Sequence, residues 1–288
     1  MLEIMTVGVL FCADPLRPRR VDGHFADQAQ AVRDLDGAVA LIDHDALTAG
    51  RAEEAVARVP AGFGPAWYRG WMVGVERYRA LEEALGRRGC RLLTDGDAYR
   101  SGHELPGWID RFRTLTPETV VLPLAPGEEP SVADAVAELG EGGYVVKDYV
   151  KSRKHEWLEA CHAPDSTALP RVVARFVELA GGDLTGGVVV RRFEDFAGGE
   201  TRVWWLDGDV VFAGPHPDTP GDPAAVPDDL IEIRDAVRAL DARFVTTDVA
   251  RRSDGVWRVI EVGDGQVSDW PAGADPAVLM KALLAVRA

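Results

Sequence analysis

Asp248 and Glu261 are the residues of this chain whose spacing most directly implies chemistry. Between them lies Asp254-Gly255, flanked by strand-forming residues. Asp-Gly signals a two-residue hairpin loop, because the favoured turn needs positive φ at its centre. With that loop, Ser253 faces Val256, Val249 faces Ile260, and Asp248 faces Glu261. Side chains directly opposite on one sheet face stand roughly 5 Å apart. The neighbours Val249, Ile260 and Val262 are apolar, which points to a buried hairpin end. Two close buried carboxylates need a cation or a shared proton. Magnesium with phosphate oxygens meets that need, since it takes one or two carboxylates plus substrate. A slipped register with both acids in solvent is the alternative. Asp264, in the turn just beyond Glu261, is a candidate third oxygen ligand, with a plain glycine-rich turn as the competing reading.

A basic segment supplies the complementary charge. Tyr144-Val145-Val146-Lys147 reads as a strand ending in lysine, and Lys151, Arg153 and Lys154 come next. Four cations within eight residues stand out in an acidic chain and make a candidate phosphate clamp. A solvated basic turn is the bland alternative. Val188-Val189-Val190-Arg191-Arg192 is a second apolar run ending in cations, and after a glycine-rich turn come Glu200 and Arg202. Arg202 is a candidate for holding a phosphoryl group or a carboxylate; a surface ion pair with Glu200 is the alternative.

The elements that must position these residues fall into two textures. In the first, Thr6 to Cys12 and Ala38 to Ile42 read as strands, with helices over His24 to Leu35, Ala52 to Arg58 and Val73 to Arg88, then a strand from Arg91. That strand–helix alternation predicts an α/β domain with a parallel sheet. Prolines at 117, 123, 126 and 130 mark a change. Beyond them, helices at 132–139, 171–179, 229–240 and 276–286 separate strands at 143–146, 188–193, 201–206, 210–213, 244–250 and 256–262. The expected fold class is α/β plus α+β. Its units are an N-terminal domain over 1–114, a small subdomain over 115–185 and a C-terminal subdomain with the metal site over 186–288.

Composition narrows the partners. Lys plus Arg number 32 against 47 Asp plus Glu, a formal net charge of −15. Such a surface repels nucleic acid and anionic membranes, so nucleic acid is an unlikely partner. Cys12, Cys90 and Cys161 are far apart and form no C-x-x-C pair, which suits free thiols in a reducing, cytoplasmic setting. No stretch is long and apolar enough for a membrane helix.

Taken in chain order, these pieces resemble the ATP-grasp fold over residues 115 to 270. The resemblance places the strand lysine at Lys147, the adenine hinge at Arg192-Phe193-Glu194, and an Asp…Glu-x-Asn metal motif at Asp248…Glu261-Val262-Gly263. The segment Trp67-Tyr68-Arg69-Gly70-Trp71-Met72 resembles the front domain of a bacterial ATP-grasp branch. The resemblance implies an N-terminal α/β substrate domain ahead of a two-subdomain ATP-grasp fold. The implied activity is an ATP- and Mg2+-dependent ligase that joins a carboxylate to an amine through an acyl phosphate. Asp248 and Glu261, with Asp264, would hold magnesium; Lys147, Lys151, Arg153 and Lys154 would hold phosphates. Arg202 would steady the γ-phosphate or acyl phosphate, with Lys151 beside it in catalysis. Arg192, Phe193 and Glu194 would frame adenine and ribose, and Arg69 would anchor a small-molecule or peptide substrate. Homodimers are frequent in such ligases.

This sequence departs from the pattern in four places. Gly263 stands where asparagine is usual, Arg192 occupies the usual acidic hinge position, a basic segment replaces the glycine-rich phosphate loop, and no counterpart of the family's first lysine is found near 103–111. A phosphotransferase on the same scaffold and a non-catalytic nucleotide-binding protein are the rival functions. There is no Walker loop, G-x-G-x-x-G or G-x-S-x-G. His155-Glu156…Cys161-His162 lacks zinc-site spacing. His24, His44, His103 and His216 read as isolated histidines with ordinary roles, and Trp67, Trp71 and Trp108 as packing residues or pocket walls.

Overall fold

The computed structural model describes residues 7–124, 128, 130–150, 152 and 154–287. It contains three sheets. The first is built from β1 (Gly8–Asp14), β2 (Arg17–Val21), β3 (Ala38–Ile42), β4 (Gly64–Arg69) and β5 (Cys90–Leu92). Strands β3, β1, β4 and β5 run parallel in that order, while β2 folds back antiparallel on the end of β1. Helices α1 (Ala26–Asp34), α2 (His44–Thr48), α3 (Ala52–Ala55) and α4 (Val75–Arg87) surround it. Val75, Tyr78, Leu81, Ala84 and Leu85 recur at helical spacing and bury one face of α4. Gly89, at φ 72°, then reverses the chain into β5.

Helices α5 (Gly96–His103) and α6 (Leu105–Trp108) lead to the middle layer. There β6 (Thr119–Pro123), α7 (Ala133–Leu139), β7 (Tyr144–Lys147), β8 (His162–Ala163), α8 (Leu169–Ala180) and β9 (Gly187–Arg192) form an antiparallel sheet of order β6-β9-β7-β8 with its helices. The α8 residues Leu169, Val172, Val173 and Phe176 pack on one face of it with Tyr144, Val146, Val188 and Val190. Because β9 bonds to β6 and β7, the subdomain break expected at 185/186 moves to after Arg192.

The last layer holds β10 (Thr201–Leu206), β11 (Asp209–Pro215), α9 (Ile231–Arg238), β12 (Phe244–Arg251), β13 (Trp257–Asp264) and α10 (Pro276–Leu284). The sheet is antiparallel, in the order β11-β10-β12-β13. Asp207 and Gly208, both at positive φ, make the tight β10–β11 turn. One face carries Val203, Trp205, Val245, Val249, Val259 and Val262 into a core shared with Leu105, Trp108 and Phe112. The other carries Trp204 and Phe244 against the N-terminal layer, where α10 closes the packing with Leu279, Met280 and Leu283. Trp67 and Trp108 are therefore packing residues, 0% and 1% exposed. Among the described residues no helix is long and apolar enough to cross a membrane.

Candidate functional site

The β12–β13 hairpin sets opposite charges in a row. Asp248 faces Glu261 across the ladder, as the sequence leads one to expect, although the turn differs. Arg251 faces Trp257 and Val249 faces Val259, so the loop has three residues, Ser253-Asp254-Gly255, with Gly255 at φ 94°. An irregularity between Asp248 and Val249, opposite the unpaired Ile260, restores the register by one residue. The two shifts cancel at the acids. Bulges beside functional sites commonly re-aim a side chain in this way.

On the other side, β10 places Arg202 directly opposite Asp248. The guanidinium donates from Nε to Oδ1 and from Nη2 to Oδ2, both at 2.8 Å. From the facing middle sheet, Lys147 at the end of β7 donates from Nζ to Glu261 Oε1 at 2.9 Å. Arg202, Asp248, Glu261 and Lys147 thus alternate in pairs of sign. Three of the side chains are nearly enclosed, while Glu261 is 35% exposed. Burial pushes the Asp248 carboxyl up, but the charge and hydrogen bonds of Arg202, with those of His216, outweigh it and hold the group well below the usual carboxylate range. Burial likewise opposes the charge on Arg202, and Asp248 more than restores it.

His216, just beyond β11, completes the cluster. Its Nε2 lies 2.8 Å from Arg202 Nη2 and 3.4 Å from Asp248 Oδ2. Glu200, His216 and Asp248 each offer a ligand atom within 4.8 Å of the others. Sequence reasoning gave His216 an ordinary role; its place here follows from β10 lying between β11 and β12, which no local signal announces. These groups line a cleft of about 600 Å3 between the layers, walled also by Met72, His103, Val150, Thr246 and Ser268.

Other expected site residues lie elsewhere. Asp264 pairs with Val245, so its side chain leaves the face that bears Asp248 and Glu261. It is fully buried, its Oδ1 accepts from the Gln266 backbone N–H at 2.9 Å, and Oδ2 has no partner among the described residues. Burial pushes this carboxyl up to about 7, against the hydrogen bonds from Gln266. Arg69 is also fully buried. It donates to Gln28 Oε1 at 2.8 Å and to the carbonyls of Gly265 and Gln266 at 3.2 and 2.7 Å, clasping the chain just beyond β13.

At the hinge, Arg192 turns away onto the Leu139 carbonyl. Glu194 is bound by Arg258 at 2.9 Å and Arg252 at 3.2 Å, and Phe193 is 40% exposed beside the His162 ring. Lys151, Arg153 and the side chain of Lys154 lie outside the described residues.

The donor set suits a hard dication. Both acids offer oxygen only, and each is already neutralised by a cation that a phosphate oxygen would attract once a metal replaced it.

Comparisons agree with this arrangement. The chain aligns along nearly its whole length with a RimK domain protein ATP-grasp from Sphaerobacter thermophilus DSM 20745, at 15% identity and a TM-score of 0.63, covering 96% of this chain and 99% of that one. D-cycloserine synthetase DcsG gives 18% identity and a TM-score of 0.63, with 96% and 99% covered. D-alanine--D-alanine ligase from Bacillus anthracis, complexed with ATP, gives 14% and 0.61, with 97% and 96% covered. No curated protein matches the sequence significantly. Residues 138–283 match the model of an ATP-grasp domain family, the third family of its clade, and the chain belongs to that family.

Proposed function

We propose that this protein is an ATP- and Mg2+-dependent ligase that joins a carboxylate to an amine through an acyl phosphate. The observation that carries the reading is the row Arg202–Asp248–Glu261–Lys147, which lines the junction of two sheets. Solved ATP-grasp relatives lend support: D-alanine--D-alanine ligase is complexed with ATP, and the ligase PsnB with a minimal precursor, Mg and ADP.

Asp248 and Glu261 hold the magnesium, whose contribution is to neutralise phosphate charge. Lys147, released from Glu261, donates to a phosphate oxygen, and the basic run of Lys151, Arg153 and Lys154 does the same from its loop. Arg202 has two N–H groups on Nη1 beyond those spent on Asp248 and His216. They donate to the transferred phosphoryl group or to the carboxylate that receives it. Charge neutralisation and positioning dominate such chemistry, so no nucleophilic side chain is required. Phe193 covers the adenine side at the hinge. Arg69 and Asp264 act as structural supports under the cleft, a revision of the direct substrate and metal roles implied by the resemblance.

The test is ADP release in the presence of candidate acids and amines. Sustained release that needs both substrates, and that is abolished by Glu261→Gln, is expected. Full metal-dependent turnover in Glu261→Gln contradicts the assignment. Release that needs the acid but no amine makes the protein a phosphotransferase instead.

A further inference from the structure

The two carboxylates do not stand alone on their sheet face. Thr246 lies two residues before Asp248 on β12 and pairs with Gly263, so its side chain joins theirs. A Cβ on Gly263 would sit 2.9 Å from Thr246 Oγ1 and 3.2 Å from Ser268 Oγ. The space beside Glu261 that a side chain at 263 would take is therefore already held by two hydroxyls.

Their protons can be accounted for. Ser268 Oγ donates to the Asp264 carbonyl at 2.9 Å. A hydroxyl has one proton, so at the 2.9 Å contact between the two hydroxyls Thr246 is the donor. The Gly263 carbonyl, at 3.4 Å, is the weaker alternative acceptor. No described group donates to Thr246 Oγ1, which leaves a buried oxygen with unclaimed lone pairs on the wall of the cleft. Buried acceptors in that state call for a donor.

We propose that Thr246, held by Ser268, is a positioning residue for the divalent cation: its Oγ1 accepts a hydrogen bond from a water ligand of the ion that Asp248 and Glu261 bind. The inference rests on the metal reading above. Magnesium dehydrates reluctantly and keeps several waters, so a short side chain set back from the ion contributes through a water. The β-branched threonine has restricted χ1 freedom, and its hydroxyl is fixed by Ser268.

The experiment uses Mn2+ as the probe, with ADP present and the full chain, and counts bound ion by loss of the free-ion EPR signal. Thr246→Val keeps the volume and removes the acceptor; it is expected to weaken Mn2+ binding about tenfold. Thr246→Ser keeps the hydroxyl and is expected to bind near the wild-type level. A packing role predicts the reverse order, because serine loses the methyl group and valine does not. Thermal unfolding of each variant separates loss of folding from loss of the ion. Wild-type Mn2+ affinity in Thr246→Val, or equal losses in the two variants, overturns the proposal. A wild-type protein that binds no Mn2+, or binds it equally well as Asp248→Asn, removes the metal reading itself, and this inference with it.

Discussion

Asp248 serves two partners that exclude one another. It is clamped by Arg202 in the structure, and in the proposed reaction it turns to a metal. Replacing it with Asn leaves Arg202 buried without its counter-ion, which costs on the order of 3 kcal/mol; urea unfolding of Asp248→Asn checks this. Its depressed pKa fixes the sign of a pH effect. The stability it contributes is fully present above the unfolded carboxylate value, about 3.9, and is lost as pH falls below that. Asp264 works the other way. Its folded pKa is about 7, so between about pH 4 and 7 the native state keeps a proton that the unfolded state has released. Stability should fall as pH rises through that window, and Asp264→Asn should flatten the fall; unfolding curves at pH 5 and pH 8 compare the two. A steeper fall in the variant would contradict the burial argument. At this scale the sequence revealed Asp248, Glu261 and Lys147 through local pattern. It concealed the side Asp264 faces, because one residue of strand alternation decides that.

The hairpin shows both the reach and the limit of local pattern at the scale of elements. Asp254-Gly255 signalled a reversal, and the acids do face one another. The loop is nonetheless one residue longer than the signal implied, and a compensating irregularity at Ile260 corrects it. Gly255 holds a φ of 94°, where a side chain is strained. Gly255→Ala should cost about 1–2 kcal/mol in unfolding free energy. Because the irregularity lies between the loop and the acids, the Asp248–Glu261 register should persist, and ADP affinity with Mg2+ should change little. Strands β10, β11, β12 and β13 were legible because β-branched and aromatic runs end at clear turns. Strand β4 was not. It is buried on both faces, as central parallel strands are, so it lacks alternation, and Gly64-Pro65 disguises its start. The Arg202–Asp248 pairing was equally hidden, since helix α9 separates β10 and β12 in the chain while the sheet makes them neighbours.

At the scale of the whole molecule, the cleft exists because three layers meet. The N-terminal layer grips the end of β13 through Arg69, and Gln266 answers by accepting from the Tyr68 backbone N–H at 3.0 Å and donating to Tyr78 Oη at 2.9 Å. Arg69→Leu strands the acceptors on Gln28, Gly265 and Gln266 and should destabilise the fold by on the order of 3 kcal/mol, read as a lower thermal midpoint. The alternation of strands and helices, then of hairpins, foretold the layers; the clasp between them joins residues too distant in sequence for local pattern to show. The central claim is that this junction binds ATP with magnesium through Lys147, Asp248 and Glu261. Calorimetric titration of ATP, with and without Mg2+, into the wild type and Lys147→Ala tests it most directly. The account predicts magnesium-dependent binding to the wild type and its loss in the variant. Absence of binding to the wild type, or unchanged binding to Lys147→Ala, would contradict it.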